Sequence, residues 1–255
     1  MISQEIFERV ESKYLLTREQ FDRLMNVIGN RITEDQYPHS NITSVYFDTP
    51  DYQLIRTALE KQSYREKLRL RSYGITDKSS TVFMEIKKKY DSVTYKRRQE
   101  MQYDDSLNYI LFDRLPADTQ IMREIDYIKN IRHKLDPRVL ISYERDSWVS
   151  RDDSDLRITF DFNVRYSTRN LLLTNTDPEY RLTDDDTIIM EVKTLTSMPI
   201  WLTSVLNEMK IYPGNFSKYG QIYEKHLSKG VFKCLNSYSH QYLPNSQSQV
   251  TYYAL

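Results

Sequence analysis

The feature that most narrows the fold is a pattern that recurs along the chain: short runs with one apolar face and one cationic face. In "YREKLRLRSYG", residues 64–74, Lys67, Arg69 and Arg71 stand two apart. In an extended chain they leave one face while Leu68 and Leu70 leave the other. The same alternation groups Arg9, Glu11 and Lys13; Glu85, Lys87 and Lys89; Lys96, Arg98 and Glu100; Tyr143 and Arg145; Arg157, Thr159, Asp161 and Asn163; and Glu191 and Lys193. Solvated sheet faces usually mix Thr, Ser, Gln, Glu and Lys, whereas each of these faces holds Arg or Lys and its opposite face is apolar or aromatic.

Strands are expected at 6–16, 42–48, 65–73, 80–90, 92–102, 138–149, 156–167 and 186–195, and helices at 17–29, 51–59, 104–113, 119–133, 199–210 and 217–228. Thr17 and Gln20 form a capping-box pattern, and "DKSS" and "KYDSVTYK" read as hairpin connections. The arrangement that satisfies both faces is α+β: an eight-stranded antiparallel β-barrel, a tunnel, with polar side chains inside and helices packed outside. Residues 1–229 are expected to form this domain, followed by a polar tail over 230–255.

Cations lining a barrel are destabilising unless hydrated, paired with acids or occupied by an anion. Glu11, Glu85, Glu100, Asp161 and Glu191 supply part of the pairing but are outnumbered, so a polyanion is the natural remainder. Glu191, beside Lys193 by strand alternation, is also suited to Mg²⁺ or Mn²⁺, hard ions that bridge carboxylates and phosphate oxygens. Lys plus Arg (36) equals Asp plus Glu (36), so any electrostatic function rests on segregation of charge and nucleic acid is not the expected partner. The five glycines form no nucleotide-binding loop motif, Cys234 has no partner cysteine, and the four histidines lack ligand spacing. No signal-peptide-like segment and no long apolar run occurs, which predicts a cytoplasmic protein without direct membrane insertion.

In order along residues 6–228, "RVESKYLL", "VYFDTPDY", "KLRLRSY", "FMEIKKKY", "SYERDSW", "LRITFDFNVRY", "IIMEVKTL" and "FSKYGQIYE" resemble the triphosphate tunnel metalloenzymes, and among them the VTC-type polyphosphate polymerase domain. The resemblance implies catalytic roles for Arg69, Arg71, Arg145, Arg157 and Lys218. It implies substrate contacts from Lys13, Lys87, Tyr143 and Ser217, to which alternation adds Lys193. On the fifth strand Lys96 and Arg98 are both available, and Arg98, which shares its face with Glu100, is preferred. Glu191 is the implied metal ligand, with Glu11 as the second carboxylate. Hydrolases of the superfamily begin Glu-x-Glu-x-Lys, whereas residues 9–13 read Arg-Val-Glu-Ser-Lys, which leans toward the polymerase branch. The implied activity is Mn²⁺- or Mg²⁺-dependent transfer of the ATP γ-phosphoryl group to inorganic polyphosphate, with a separate membrane partner if the product is translocated. The rivals are a triphosphatase using the same tunnel and a non-catalytic polyphosphate or nucleotide sensor.

Overall fold

The computed structural model describes residues 10–91, 93–132, 134–153 and 155–228. The expected tail, Arg9 and the start of the first strand lie outside them. Nine strands and six helices follow in the order β1 (Val10–Leu16), α1 (Arg18–Ile28), β2 (Ile32–Asp48), α2 (Gln53–Leu59), β3 (Tyr64–Tyr73), β4 (Thr81–Tyr90), β5 (Val93–Gln102), α3 (Tyr103–Phe112), α4 (Gln120–Ile131), β6 (Asp136–Ser150), β7 (Arg157–Ser167), β8 (Tyr180–Arg181), β9 (Ile188–Thr194), α5 (Ile200–Glu208) and α6 (Lys218–Ile222), which runs on into a π-helical turn (Tyr223–Leu227). The capping box at α1 is present: Thr17 Oγ1 accepts from the Gln20 amide at 3.1 Å, and Gln20 Oε1 accepts from the Thr17 amide at 3.0 Å.

All strands join one antiparallel sheet in the order β1-β9-β7-β6-β2-β3-β4-β5, with β8 beside β7. The expectation of a closed barrel is corrected here, because among the described residues the ladder stops at β1 and at β5. At the β1 edge the Lys13 carbonyl accepts from the Gly214 amide at 2.8 Å. The sheet is nevertheless strongly curved: Lys67 and Lys87, on β3 and β4, interact electrostatically with Lys13 and Glu11 of β1 at the other end of the strand order.

On the outer face, Leu68, Leu70, Met84 and Ile86 pack against Leu107 of α3 and Ile125 of α4, while Tyr14, Phe160 and Met190 pack against Leu24 of α1 and Leu202 of α5. Burying a side chain such as Leu70 contributes about 2 kcal/mol. A second expectation needs correction: not every helix lies outside. Tyr219 and Ile222 of α6 and Ile55 of α2 pack with Val139, Ile141 and Tyr143 of β6, which share the face of Arg145. The last helix therefore covers one part of the inner face.

Two strand features escaped the period-two pattern. β2 begins ten residues earlier than expected, in the polar run "ITEDQYPHSN", where its pairing with β6 shifts register between Glu34 and His39. Pro38, which has no amide hydrogen for the ladder, sits in that irregular stretch. In β7 the alternation breaks at Asn163, whose φ of 48° accompanies a register shift against Ser142 and Glu144. Asn163 consequently leaves the inner face and donates to Glu144 Oε1 at 3.2 Å.

Candidate active site

Register places the charged side chains in rows across the inner face. Tyr46 stands opposite Arg69, Arg69 opposite Glu85, and Glu85 opposite Arg98. The adjoining row is Lys67, Lys87 and Lys96, each directly opposite the next. Like charges in direct cross-strand register are destabilising, and no carboxylate belongs to this row. On the facing wall, Ser147, Thr159, Glu191 and Lys13 form one row, and Val149, Arg157, Lys193 and Glu11 another.

Buried carboxylates hold the arginines. Glu85, 2% exposed, accepts from Arg69 Nε at 2.7 Å and lies 3.1 Å from Lys96 Nζ. Arg69 Nη1 also donates to the Tyr46 hydroxyl at 3.1 Å. Asp161, 1% exposed, takes a two-pronged contact from Arg145, Nε to Oδ1 at 2.6 Å and Nη2 to Oδ2 at 2.8 Å, and an ion pair from Lys218. Lys218 Nζ also lies 4.3 Å from the Tyr143 ring centroid. Arg71 donates to Ser44 Oγ at 3.1 Å and to the Tyr143 hydroxyl at 3.3 Å, so it spans from β2 to β6. Such pairs fix each guanidinium before any ligand arrives, which is the preorganisation that charge-stabilising sites require.

The electrostatics record a crowd of cations. Burial, reinforced by Lys13, Lys87 and Arg69 and opposed by Tyr46, lowers the Lys67 ammonium to about 8. Burial lowers Lys96 to about 8 as well, with Arg69 and Arg71 adding to it against Glu85; its side chain is 49% exposed, so solvent screening makes this repulsion count for less. Lys87 is lowered by burial despite Glu11. Burial pushes against ionisation of Glu191, but Lys193 and Lys13 hold its carboxyl far below the usual range. Tyr46, although desolvated, is drawn down to about 7 by Arg69 and Arg71. Lys13 goes the other way: against burial, Glu11 and Glu191 raise it. The part of the site that depresses Lys67, Lys87, Lys96 and Tyr46 is the part that stabilises added negative charge.

Most of the expected residues meet: Lys13, Arg69, Arg71, Lys87, Tyr143, Arg145, Glu191, Lys193, Ser217 and Lys218 share the inner face with Glu11. Arg157 shares the register row of Lys193 and Glu11, but its side chain is 46% exposed and paired with Asp35 of β2 at 2.6 Å. On β5 it is Lys96 that reaches Glu85, while Arg98 lies over the Phe83 ring at 4.7 Å. Lys67, Ser44 and Tyr46 are additional residues of the inner face; the two on β2 alternate with buried Val45 and Phe47, a signal present in "SVYFD". Glu11 and Glu191 lie on neighbouring strands of one face and offer oxygen ligands, Glu11 bonded to Lys13 at 3.1 Å and Glu191 to Lys193 at 2.5 Å. Among the described residues no group of three or more His, Cys, Asp or Glu side chains gathers around a metal position. Two carboxylates on one face are the oxygen donors that a hard divalent ion prefers.

No described helix is long and apolar enough to cross a membrane. No curated protein sequence matches the chain. Among solved structures, a candidate adenylate cyclase from Bacillus halodurans superposes with a TM-score of 0.54 at 16% identity, over 84% of this chain and 94% of that one. A candidate adenylyl cyclase from Hippeastrum, described as having a dominant triphosphatase activity, gives 0.47 at 15% identity over 85% and 95%. The first likeness shows a shared fold. A family model, the VTC domain, matches residues 8–226, and the chain belongs to the VTC domain family.

Proposed function

We propose that the protein is a metal-dependent polyphosphate polymerase that transfers the ATP γ-phosphoryl group to the end of a growing inorganic polyphosphate chain, releasing ADP. The observation that carries this reading is the row Lys67, Lys87 and Lys96, three ammonium groups in direct register on the channel face with no carboxylate among them. Lys96 at its end is paired with Glu85, whereas Lys67 and Lys87 take part in no ion pair of the described residues, and a polyanion would compensate them.

Phosphoryl transfer needs in-line positioning and neutralisation of the equatorial oxygens more than covalent chemistry. Arg69, Arg71 and Arg145, clamped by Glu85, Ser44 and Asp161, supply fixed donors; Lys13, Lys67, Lys87 and Lys218 supply diffuse positive charge. The terminal phosphate of the acceptor is already anionic near neutral pH, so the transfer requires no histidine or carboxylate base. Glu191 and Glu11 are the residues that would hold a divalent ion, which would supply further positive charge to the site. Displacement of Lys193 and Lys13 from these carboxylates would accompany its arrival.

Water as acceptor in the same channel gives a triphosphatase, and product length separates the two. Incubation with ATP and Mn²⁺ or Mg²⁺ is expected to yield a ladder of long chains on a gel. Orthophosphate as the sole inorganic product would replace the polymerase with a hydrolase, and tight binding without turnover would leave a sensor.

A further inference from the structure

The start of α6 links two strands of the inner face, β3 and β7. Ser217 Oγ accepts from Lys67 Nζ of β3 at 3.4 Å and caps its own helix by accepting from the Gly220 amide at 3.2 Å, while Lys218 pairs with Asp161 of β7. Neither contact fixes the helix by itself, because both side chains are long or shared. The anchor is the next residue. The Tyr219 hydroxyl donates to Asp48 Oδ2 at 2.9 Å, and Asp48 is fully buried. Its carboxylate also accepts from the backbone amides of Thr49 at 2.8 Å, Leu54 at 2.8 Å and Ile55 at 3.0 Å, so it ties the end of β2 to the first turn of α2. The Tyr219 ring lies 5.2 Å from that of Tyr46, whose hydroxyl receives Arg69.

Gly220 completes the seat: a Cβ there would stand 3.0 Å from Leu59 Cδ2 of α2 and 3.1 Å from the Ser217 Cβ. The helix can approach this closely because residue 220 has no side chain.

We propose that Asp48 and Tyr219 are positioning residues: their buried hydrogen bond sets the height of α6 and thereby places Ser217 and Lys218 against the phosphate chain. This rests on the reading that Lys218 touches substrate. A hydrogen bond from a neutral donor to a buried carboxylate is strong enough that its loss allows the helix to shift, and sub-ångström errors in a charge-stabilising contact are costly in rate.

The test is Tyr219→Phe, which removes one hydroxyl and keeps the ring, alone and combined with Lys218→Ala. Turnover of ATP is expected to fall about 10-fold in Tyr219→Phe, with binding of inorganic tripolyphosphate weakened less than turnover, and to change less than ~2-fold when the same substitution is added to Lys218→Ala. Gly220→Ala, whose Cβ would crowd Leu59 Cδ2 at 3.0 Å and the Ser217 Cβ at 3.1 Å, is expected to lower turnover in the same direction as Tyr219→Phe. Wild-type turnover in Tyr219→Phe, or an equal loss with and without Lys218, overturns the positioning role while leaving the channel reading in place. Full activity in Lys218→Ala overturns both the role of Lys218 and the positioning that serves it.

Discussion

Lys87 and Lys88 are neighbours on β4 and meet opposite fates. Lys88 faces outward, where it pairs with Glu124 of α4, and Arg97 of β5 joins the same carboxylate at 3.1 Å. Lys87 faces inward, directly between Lys67 and Lys96, and none of the ion pairs of the described residues includes it. The outer face thus settles its charges with its own acids, as a structural surface does; the inner face shares its buried acids among Arg69, Arg145, Lys96 and Lys218 and leaves Lys67 and Lys87 in need of an anion. One strand carries both solutions because its side chains alternate.

The comparison breaks most visibly where a buried acid is removed. Asp161→Asn leaves Arg145 and Lys218 without their shared carboxylate in a desolvated site and is expected to cost about 3–5 kcal/mol of stability, measured by denaturant unfolding. Next comes Arg69→Ala, expected to lower turnover by at least ~10²-fold, the scale of losing one preorganised charge-stabilising contact, or about 2.7 kcal/mol. Arg157→Ala sharpens the map of the channel: half-exposed and held by Asp35, Arg157 should cost less than ~10-fold in the same assay. A loss matching that of Arg69 would place it among the reacting oxygens.

The pH dependence tests the inner face. Burial and neighbouring cations bring Lys67 to about 8, below its unfolded value of 10.5, so unfolding takes up protons between those values and the unliganded protein should gain stability as pH rises through that window. Tripolyphosphate favours the protonated lysine, so its affinity should fall over the same window, and binding near pH 8 to 9 should be accompanied by proton uptake. Calorimetric titration in buffers of different ionisation enthalpy measures this directly. The smallest effect belongs to the outer face: Lys88→Ala should cost at most about 1 kcal/mol and leave turnover unchanged, whereas Lys87→Ala should weaken tripolyphosphate binding.

The two-faced pattern was legible because period-two alternation is local: "KLRLR" and "MEIKKK" announce their inner and outer sides without any knowledge of neighbours. The early part of β2 was not, since residues 32–41 are polar and carry Pro38, which reads as a break and not as the middle of a long strand that pairs around an irregularity. The place of α6 was illegible for a different reason. "SKYGQI" has the composition of any capped helix, and its burial on the inner face depends on Asp48, 171 residues away along the chain. Choosing between Lys96 and Arg98 likewise required register, which puts both on one face but lets Phe83 take Arg98.

The central claim is that the inner face is completed by a polyanion and not by protein acids. Thermal unfolding with increasing inorganic tripolyphosphate tests it without reference to catalysis. Ligand at 100 times its dissociation constant adds about 2.7 kcal/mol, which for a chain of this size raises the midpoint by about 5–10 °C. The account predicts that rise in the wild type and its loss in Arg69→Ala. An unchanged midpoint in the wild type at millimolar tripolyphosphate would contradict it.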